Sequence, residues 1–144
     1  MIEIRPAHPG HLKYIVVGPE QSEEFTALWR PGYAEQLCQG VAFTGWASGE
    51  CVGAAGILSN SDWPGRGEAW TIFGAKARLH ILPIVRAMRS VLAASTIQRV
   101  DMLVGDGNVY GHKLAKLCGF EYEAKLEKYH PTGADATMYK RIKR

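Results

Sequence analysis

Residues 79–95 carry an apolar stripe at helical spacing, Leu82, Val85, Met88, Val91 and Leu92, with Arg86 and Arg89 off it. The run "EAWTIFGA" precedes this stretch and "RVDMLVG" follows it, both apolar and rich in β-branched or aromatic residues, as strands are. A helix with a single apolar stripe buries it against another element, so the middle of the chain requires a helix layered on a sheet. Pro83 suits a first helical turn, where its missing N–H costs little, and the spacing predicts a helix start close to Ile81.

The remaining segments extend this layout. "IEIRPA" alternates at period two and Pro6 ends it, which predicts a strand. "HPGHLKYIVV" predicts a short helix stopped by Gly18 and Pro19. A second helix is expected after Ser22, with Glu23 and Glu24 in its first turn and Phe25, Leu28 and Trp29 on one face. "GVAFTGWAS" and "ECVGAAGILSN" read as strands joined by a tight turn at Gly49, and "SDWPGRG" as a loop. "NVYGHKLAKLC" predicts a helix with Gly119 at its C-terminal cap. "YEAKLEKYH", a "PTGAD" turn and "ATMYKRIK" predict a closing hairpin. The expected fold is α/β with α+β character: a single domain, 1–144, built on one mixed, mostly antiparallel sheet flanked by helices.

Composition narrows the function classes. The chain has 144 residues, 47% of them hydrophobic, enough for one sizeable core. No apolar run approaches the roughly 18–20 residues that span a bilayer, so no membrane partner is expected. No secretory signal is visible at the N-terminus, and a cytoplasmic location is the expectation. Cys38, Cys51 and Cys118 are odd in number and lack CxxC spacing; His8 and His11 lack further ligands; no metal is expected. A net charge of +3 is too modest to point to nucleic acid. The basic residues lack the interleaved aromatics or groove-reading helix of such binders. They cluster, however: Lys76, Arg78, Arg86, Arg89 and Arg99 lie in a stretch, Ala69 to Val100, that has no acidic residue. The C-terminal "MYKRIKR" reads first as a charged edge strand.

The segment "NVYGHKLAKLCGFEYEAK", with "IRPA" near the start, resembles the GNAT superfamily (GCN5-related N-acetyltransferases) over essentially the whole chain. "EAWTIF" and "KYHPTGADATMYKRI" are more like small GNAT-like proteins of tailed phages and prophages. The resemblance implies an acyl-CoA-dependent N-acyltransferase with acetyl-CoA as co-substrate and a small-molecule or peptide amine as acceptor. It also implies a cofactor cleft between splayed fourth and fifth strands, "EAWTIF" and "RVDMLV". Backbone groups of Trp70, Ile72 and Phe73 would pair with the pantetheine amides, and Gly74, Ala75, Lys76, Ala77 and Arg78 would face the pyrophosphate. The acceptor would enter beside the first helices, Trp63 and the closing hairpin. A non-catalytic phage assembly or host-interaction protein is the alternative, in the host cytoplasm if phage-encoded, with a second copy or a phage or host protein as partner.

Two departures from the family pattern bear on chemistry. The family's Gln/Arg-x-x-Gly-x-Gly/Ala loop, which holds a pyrophosphate on backbone N–H groups, is here "TIFGAKARLH" with Gly74 as its only glycine. Lys76 and Arg78 could replace dipoles with charge. The family's proton-donating tyrosine is Ala115 here. Asn108, Gly111, His112 and Ala115 share a helix face by spacing. Gly111 and Ala115 would leave a groove for pantetheine, with Asn108 contacting it and His112 the nearest donor near neutral pH. Tyr110 and Cys118 point off that face. Glu68, on one strand face with residues 70 and 72, is the expected base.

Overall fold

The computed structural model describes residues 1–19, 21–60 and 62–144; the side chains of Glu23 and Glu24, and with them the expected acidic first turn, lie outside the described set. The strands are β1 (Glu3–Pro6), β2 (Val41–Ala47), β3 (Glu50–Ser59), β4 (Arg66–Phe73), β5 (Arg99–Gly105), β6 (Glu121–Leu126) and β7 (Ala136–Ile142). The helices are α1 (Pro9–Leu12), α2 (Ser22–Leu28), α3 (Tyr33–Leu37), α4 (Ile81–Ala94) and α5 (Val109–Leu117), with a 3-10 segment, Ala75–His80, leading into α4. All strands join one sheet in the order β1-β2-β3-β4-β5-β7-β6. Every neighbouring pair is antiparallel except β4 and β5, which run parallel with α4 between them in the chain.

Each face of the sheet buries its own core. On one, Ile84, Val85, Met88 and Leu92 of α4 and Leu114 and Ala115 of α5 pack on Val100, Met102 and Val104 of β5 and Ala69 of β4. The expected stripe holds at Val85, Met88 and Leu92, with Val91 partly buried beside them, but Ile84 takes the buried place expected of Leu82, which is 63% exposed. Pro83 sits in the first turn of α4. On the other face, Leu12, Ile15, Ala34 and Leu37 cover Cys51, Ala54 and Ile72, with Phe25, Trp29, Trp46 and Trp70 at the margin. Alternation along β4 therefore divides Glu68, Trp70 and Ile72 from Ala69 and Phe73. The thiol of Cys118 lies in the first core, where burial pushes it up to about 11.

Local chemistry accounts for the turns. Ser48 and Gly49 both have positive φ, 51° and 78°, which matches the twist of the flanking β2 and β3 strands. Gly119 follows α5 at φ 90°, the left-handed cap expected there. Three expectations change. The first helix ends at Leu12 rather than at Gly18, and Val17 instead bridges to Gly74. α3, begun at Gly32 with φ 84°, was not visible in the "YAEQL" pattern, which is shorter than two helical turns. The basic C-terminal strand is not an edge: β7 inserts between β5 and β6. Its cations have partners there, Lys140 on Glu123 and Arg141 on the carbonyl of Leu92, and the edge falls to β6.

Candidate active site

β4 and β5 pair only from Arg66↔Arg99 to Ala69↔Met102, although β4 continues to Phe73 and β5 to Gly105. Beyond Ala69 the strands part, and one edge of β4 is without a strand neighbour. The Gln21 carboxamide meets that edge. Its Nε2 donates to the Thr71 carbonyl at 3.1 Å, and its Oε1 accepts from the Phe73 N–H at 3.0 Å. Gly18 N–H adds a bond to the Phe73 carbonyl at 3.0 Å. Backbone direction alternates along a strand, so Thr71 and Phe73 present their polar groups to the gap and Trp70 and Ile72 turn theirs toward β3. The expected pairing groups shift accordingly from Trp70 and Ile72 to Thr71 and Phe73. Ile72 itself is 5% exposed in the second core.

From this gap a cleft of about 450 Å³ runs outward between the Ala75–His80 segment and α5. Phe73, Gly74, Ala75, Ala77 and Arg78 line one wall, and Asn108, Tyr110, Gly111 and Leu114 line the other. Among the described residues its charged lining is Arg78 and Lys113, both cationic. The Arg78 guanidinium stacks on the Tyr110 ring at 4.6 Å and also donates to its hydroxyl. Lys76 departs from expectation: its ammonium bonds Glu50 at 2.9 Å over a separate groove. Gly74 also has another task. Its N–H is taken by the Val52 carbonyl at 2.8 Å, and a Cβ there would come within 3.0 Å of the Val16 and Val52 carbonyl oxygens. Its smallness serves that close backbone approach.

A second cavity of about 320 Å³ adjoins the same gap from the α2 and α3 side. It shares Gln21, Thr71, Asn108 and Gly111 with the cleft, so the two meet where β4 and β5 part. Glu68, Tyr33, Trp70, Tyr129 and His130 line it. Solvent still reaches Glu68, yet crowding by the walls raises its pKa, the negative charge of Asp101 raises it further, and Arg66 opposes both. Asp101 stands beside Glu68 in the strand register with a side chain only 4% exposed. It accepts from Arg66 at 3.0 Å and Arg99 at 2.8 Å. Arg99 continues to Glu123, and Glu123 to Lys140. Trp63 is 66% exposed and is not among the residues lining this cavity.

The face of α5 predicted to serve the site is divided. Asn108 caps the helix by accepting from Gly111 N–H at 3.0 Å, and both residues border the gap. Ala115 has no exposed surface and packs in the first core, so it lines no groove. His112 turns toward β7: Nε2 lies 3.2 Å from the Asp106 carbonyl and Nδ1 2.8 Å from the Tyr139 hydroxyl. A carbonyl only accepts, so Nε2 carries the proton and Tyr139 donates to Nδ1. Both ring nitrogens are engaged away from the cleft, and the structure does not bring His112 to it. The cleft wall is the neighbouring face, Tyr110, Leu114 and Leu117. Spacing alone carried no sign of this phase, which the burial of Leu114, Ala115 and Cys118 sets. Gln21, Thr71 and Tyr110 are the site residues that sequence reasoning missed or discounted.

No family model and no curated protein matches the sequence. Solved structures do match in shape. Ard1 from Thermoplasma volcanium superposes with a TM-score of 0.77 at 17% identity, over 98% of this chain and 97% of that one. IAA acetyltransferase from Bacillus cereus gives 0.72 at 12% identity, over 99% of this chain and 100% of that one. A GNAT-family acetyltransferase from Streptococcus pneumoniae gives 0.69 at 14% identity over 99% of both. With the parallel β4–β5 pair opening into a cleft, the chain has the fold of the GNAT acetyltransferases.

Proposed function

We propose that the protein is an acyl-CoA-dependent N-acyltransferase that acts on a primary amine, with acetyl-CoA as the expected donor. The observation that carries this reading is the parting of β4 from β5 after Ala69↔Met102, which joins a cation-lined cleft to a carboxylate-bearing cavity through one gap. The residues fit such a donor. The Thr71 carbonyl and Phe73 N–H already hold one amide, that of Gln21, and so suit an amide-bearing arm. Arg78 and Lys113 suit its phosphates, with no acidic residue among the described residues that line the cleft. The bound thioester supplies an activated acyl carbonyl.

The chain's own residues would then do three things. The gap holds amine and acyl carbon in contact, which converts a bimolecular reaction into an effectively unimolecular one. Glu68, when ionised, accepts the proton that the amine nitrogen sheds as its bond to the acyl carbon forms, directly or through water. Tyr110 carries the hydroxyl on the cleft wall able to return a proton to the departing sulfur, since its oxygen accepts from Arg78 and its own proton stays available.

A non-catalytic module on the same fold is the second reading, favoured by the burial of Ala115 and the engagement of His112 elsewhere. Calorimetric titration with acetyl-CoA and CoA separates the two. Micromolar binding, followed by acetylation of an amine that Glu68→Gln slows, supports the enzyme. Absence of binding at millimolar CoA sinks it.

A further inference from the structure

Among the described residues, Glu68 is the only one lining the 320 Å³ cavity that carries a full negative charge, and no described lysine or arginine lines it. The cation that acts on it, Arg66, is itself bonded to Asp101. Much of the remaining described wall is apolar or aromatic, from Leu28, Tyr33, Trp70, Met102, Leu103 and Tyr129, with the neutral polar side chains of Gln21, Thr71 and Asn108 at the gap and His130 on the turn. Arg66 is thus shared between two carboxylates, and an ammonium ion beside the aromatic faces would add counter-charge to an ionised Glu68. A carboxylate or phosphate on the same molecule would meet no lysine or arginine among the described lining residues. The second ammonium of a polyamine would lose water without meeting a second carboxylate among the described lining residues.

Resting on the acyltransferase reading, we propose that the acceptor is a monoamine with an apolar, ring-bearing body and no anionic group. Equilibrium binding to the free protein, read by tryptophan fluorescence and calorimetry without any thioester, tests this apart from transfer. The probes are phenethylamine, phenylalanine (which adds a carboxylate), phenylethanol (which removes the ammonium) and spermidine. Phenethylamine is expected to bind at least about tenfold more tightly than the other three, a difference of about 1.4 kcal/mol. Glu68→Gln, checked for an intact melting transition, is expected to lose that margin. Equal or tighter binding of phenylalanine or spermidine overturns the proposal, as does no binding of phenethylamine at millimolar concentration. Phenethylamine binding without CoA binding would leave the cavity assignment standing and remove the acyltransferase reading.

A separate observation concerns Gln21. It stands at the N-terminal cap of α2, yet its side chain caps nothing there; instead it fills the ladder position on the free edge of β4. An extended amide-bearing ligand would need those same two backbone groups. We infer that Gln21 is a built-in placeholder which must swing away before such a ligand pairs with Thr71 and Phe73. Occupancy by the placeholder reduces apparent affinity by the fraction of time the edge is free. Gln21→Ala is therefore expected to bind CoA about tenfold more tightly than the parent protein, near the combined worth of two modest hydrogen bonds. In the ligand-free variant the Phe73 amide should exchange with deuterium faster, and CoA should restore its protection. Unchanged or weaker CoA affinity in the variant overturns the placeholder role while leaving the acyltransferase reading in place. Failure of both forms to bind CoA overturns both.

Discussion

Arg78 reaches across the mouth of the cleft to Tyr110, with its guanidinium 4.6 Å above the ring centroid and a hydrogen bond to the hydroxyl. The contact ties the segment after β4 to the first turn of α5, whereas Lys76, two residues earlier, is bound to Glu50 over a separate groove. Arg78→Ala should therefore weaken CoA binding about tenfold, typical of a lost charged phosphate contact, while Lys76→Ala changes it less than about twofold. Calorimetry at low and high salt checks both. Equal losses in the two variants would show that the cations act only as a diffuse field.

Placing a tyrosine at position 115 is not expected to supply a proton donor. Ala115 has no exposed surface and sits in the core beside Leu114 and Cys118. A phenol there must displace neighbours, and Ala115→Tyr should cost about 3 kcal/mol, the upper end of the usual overpacking range. Urea unfolding measures it. A variant as stable as the parent, with faster transfer, would contradict the assigned phase of α5.

Gly111→Ala sets two effects against each other. In an exposed helix the exchange would stabilise by about 1 kcal/mol. Here the new Cβ would meet Val104 Cγ1 and Asn108 Nδ2 at 2.7 Å each, disturbing the cap and the gap between the two cavities. Overpacking of this kind costs about 1–3 kcal/mol, so net destabilisation is expected, with weaker ligand binding. A rise in melting temperature would show that the gap is more open than the contacts imply.

The pH dependence follows from Glu68. Its pKa is raised in the folded protein, by crowding first and Asp101 second. The neutral carboxyl is thus favoured by folding, and this contribution is fully present below the unfolded value of about 4.3. It is lost as pH rises through the folded value. Glu68→Gln should accordingly gain stability relative to the parent as pH rises from the acid side toward neutrality, read from melting temperatures. Transfer, which needs the ionised base, should rise with pH over the same window. Asp101→Asn should shift that rise to lower pH and cost about 1–2 kcal/mol of stability, since Arg66 and Arg99 lose a buried partner but keep some access to water. An unmoved pH profile in Asp101→Asn would argue against Glu68 as the base.

Much of the architecture was legible because its signals are local. The α4 helix with its start at Ile81, the turn at Ser48–Gly49 and the Gly119 cap each depend on residues within a few positions of one another. Leu82, however, read as part of the buried stripe, is exposed, and Ile84 is buried instead. α3 escaped notice for want of length, and β7 was misjudged as an edge because its neighbour β5 lies more than thirty residues away, Arg99 opposite Ile142. At the candidate site, Glu68, Phe73, Ala75, Ala77, Arg78, Asn108 and Gly111 do border one or other cavity. Lys76, His112 and Ala115 share their spacing but not their direction.

The sequence by itself determined which segments become helix or strand, because periodicity and turn chemistry act over a few residues. Only the tertiary structure decided the rotation of α5 about its axis, the end of β4–β5 pairing after Ala69↔Met102, and the seat of Gln21 on Thr71 and Phe73. Each of these balances contacts between residues far apart in the chain, such as the fifty positions from Gln21 to Thr71, and no local pattern records that balance.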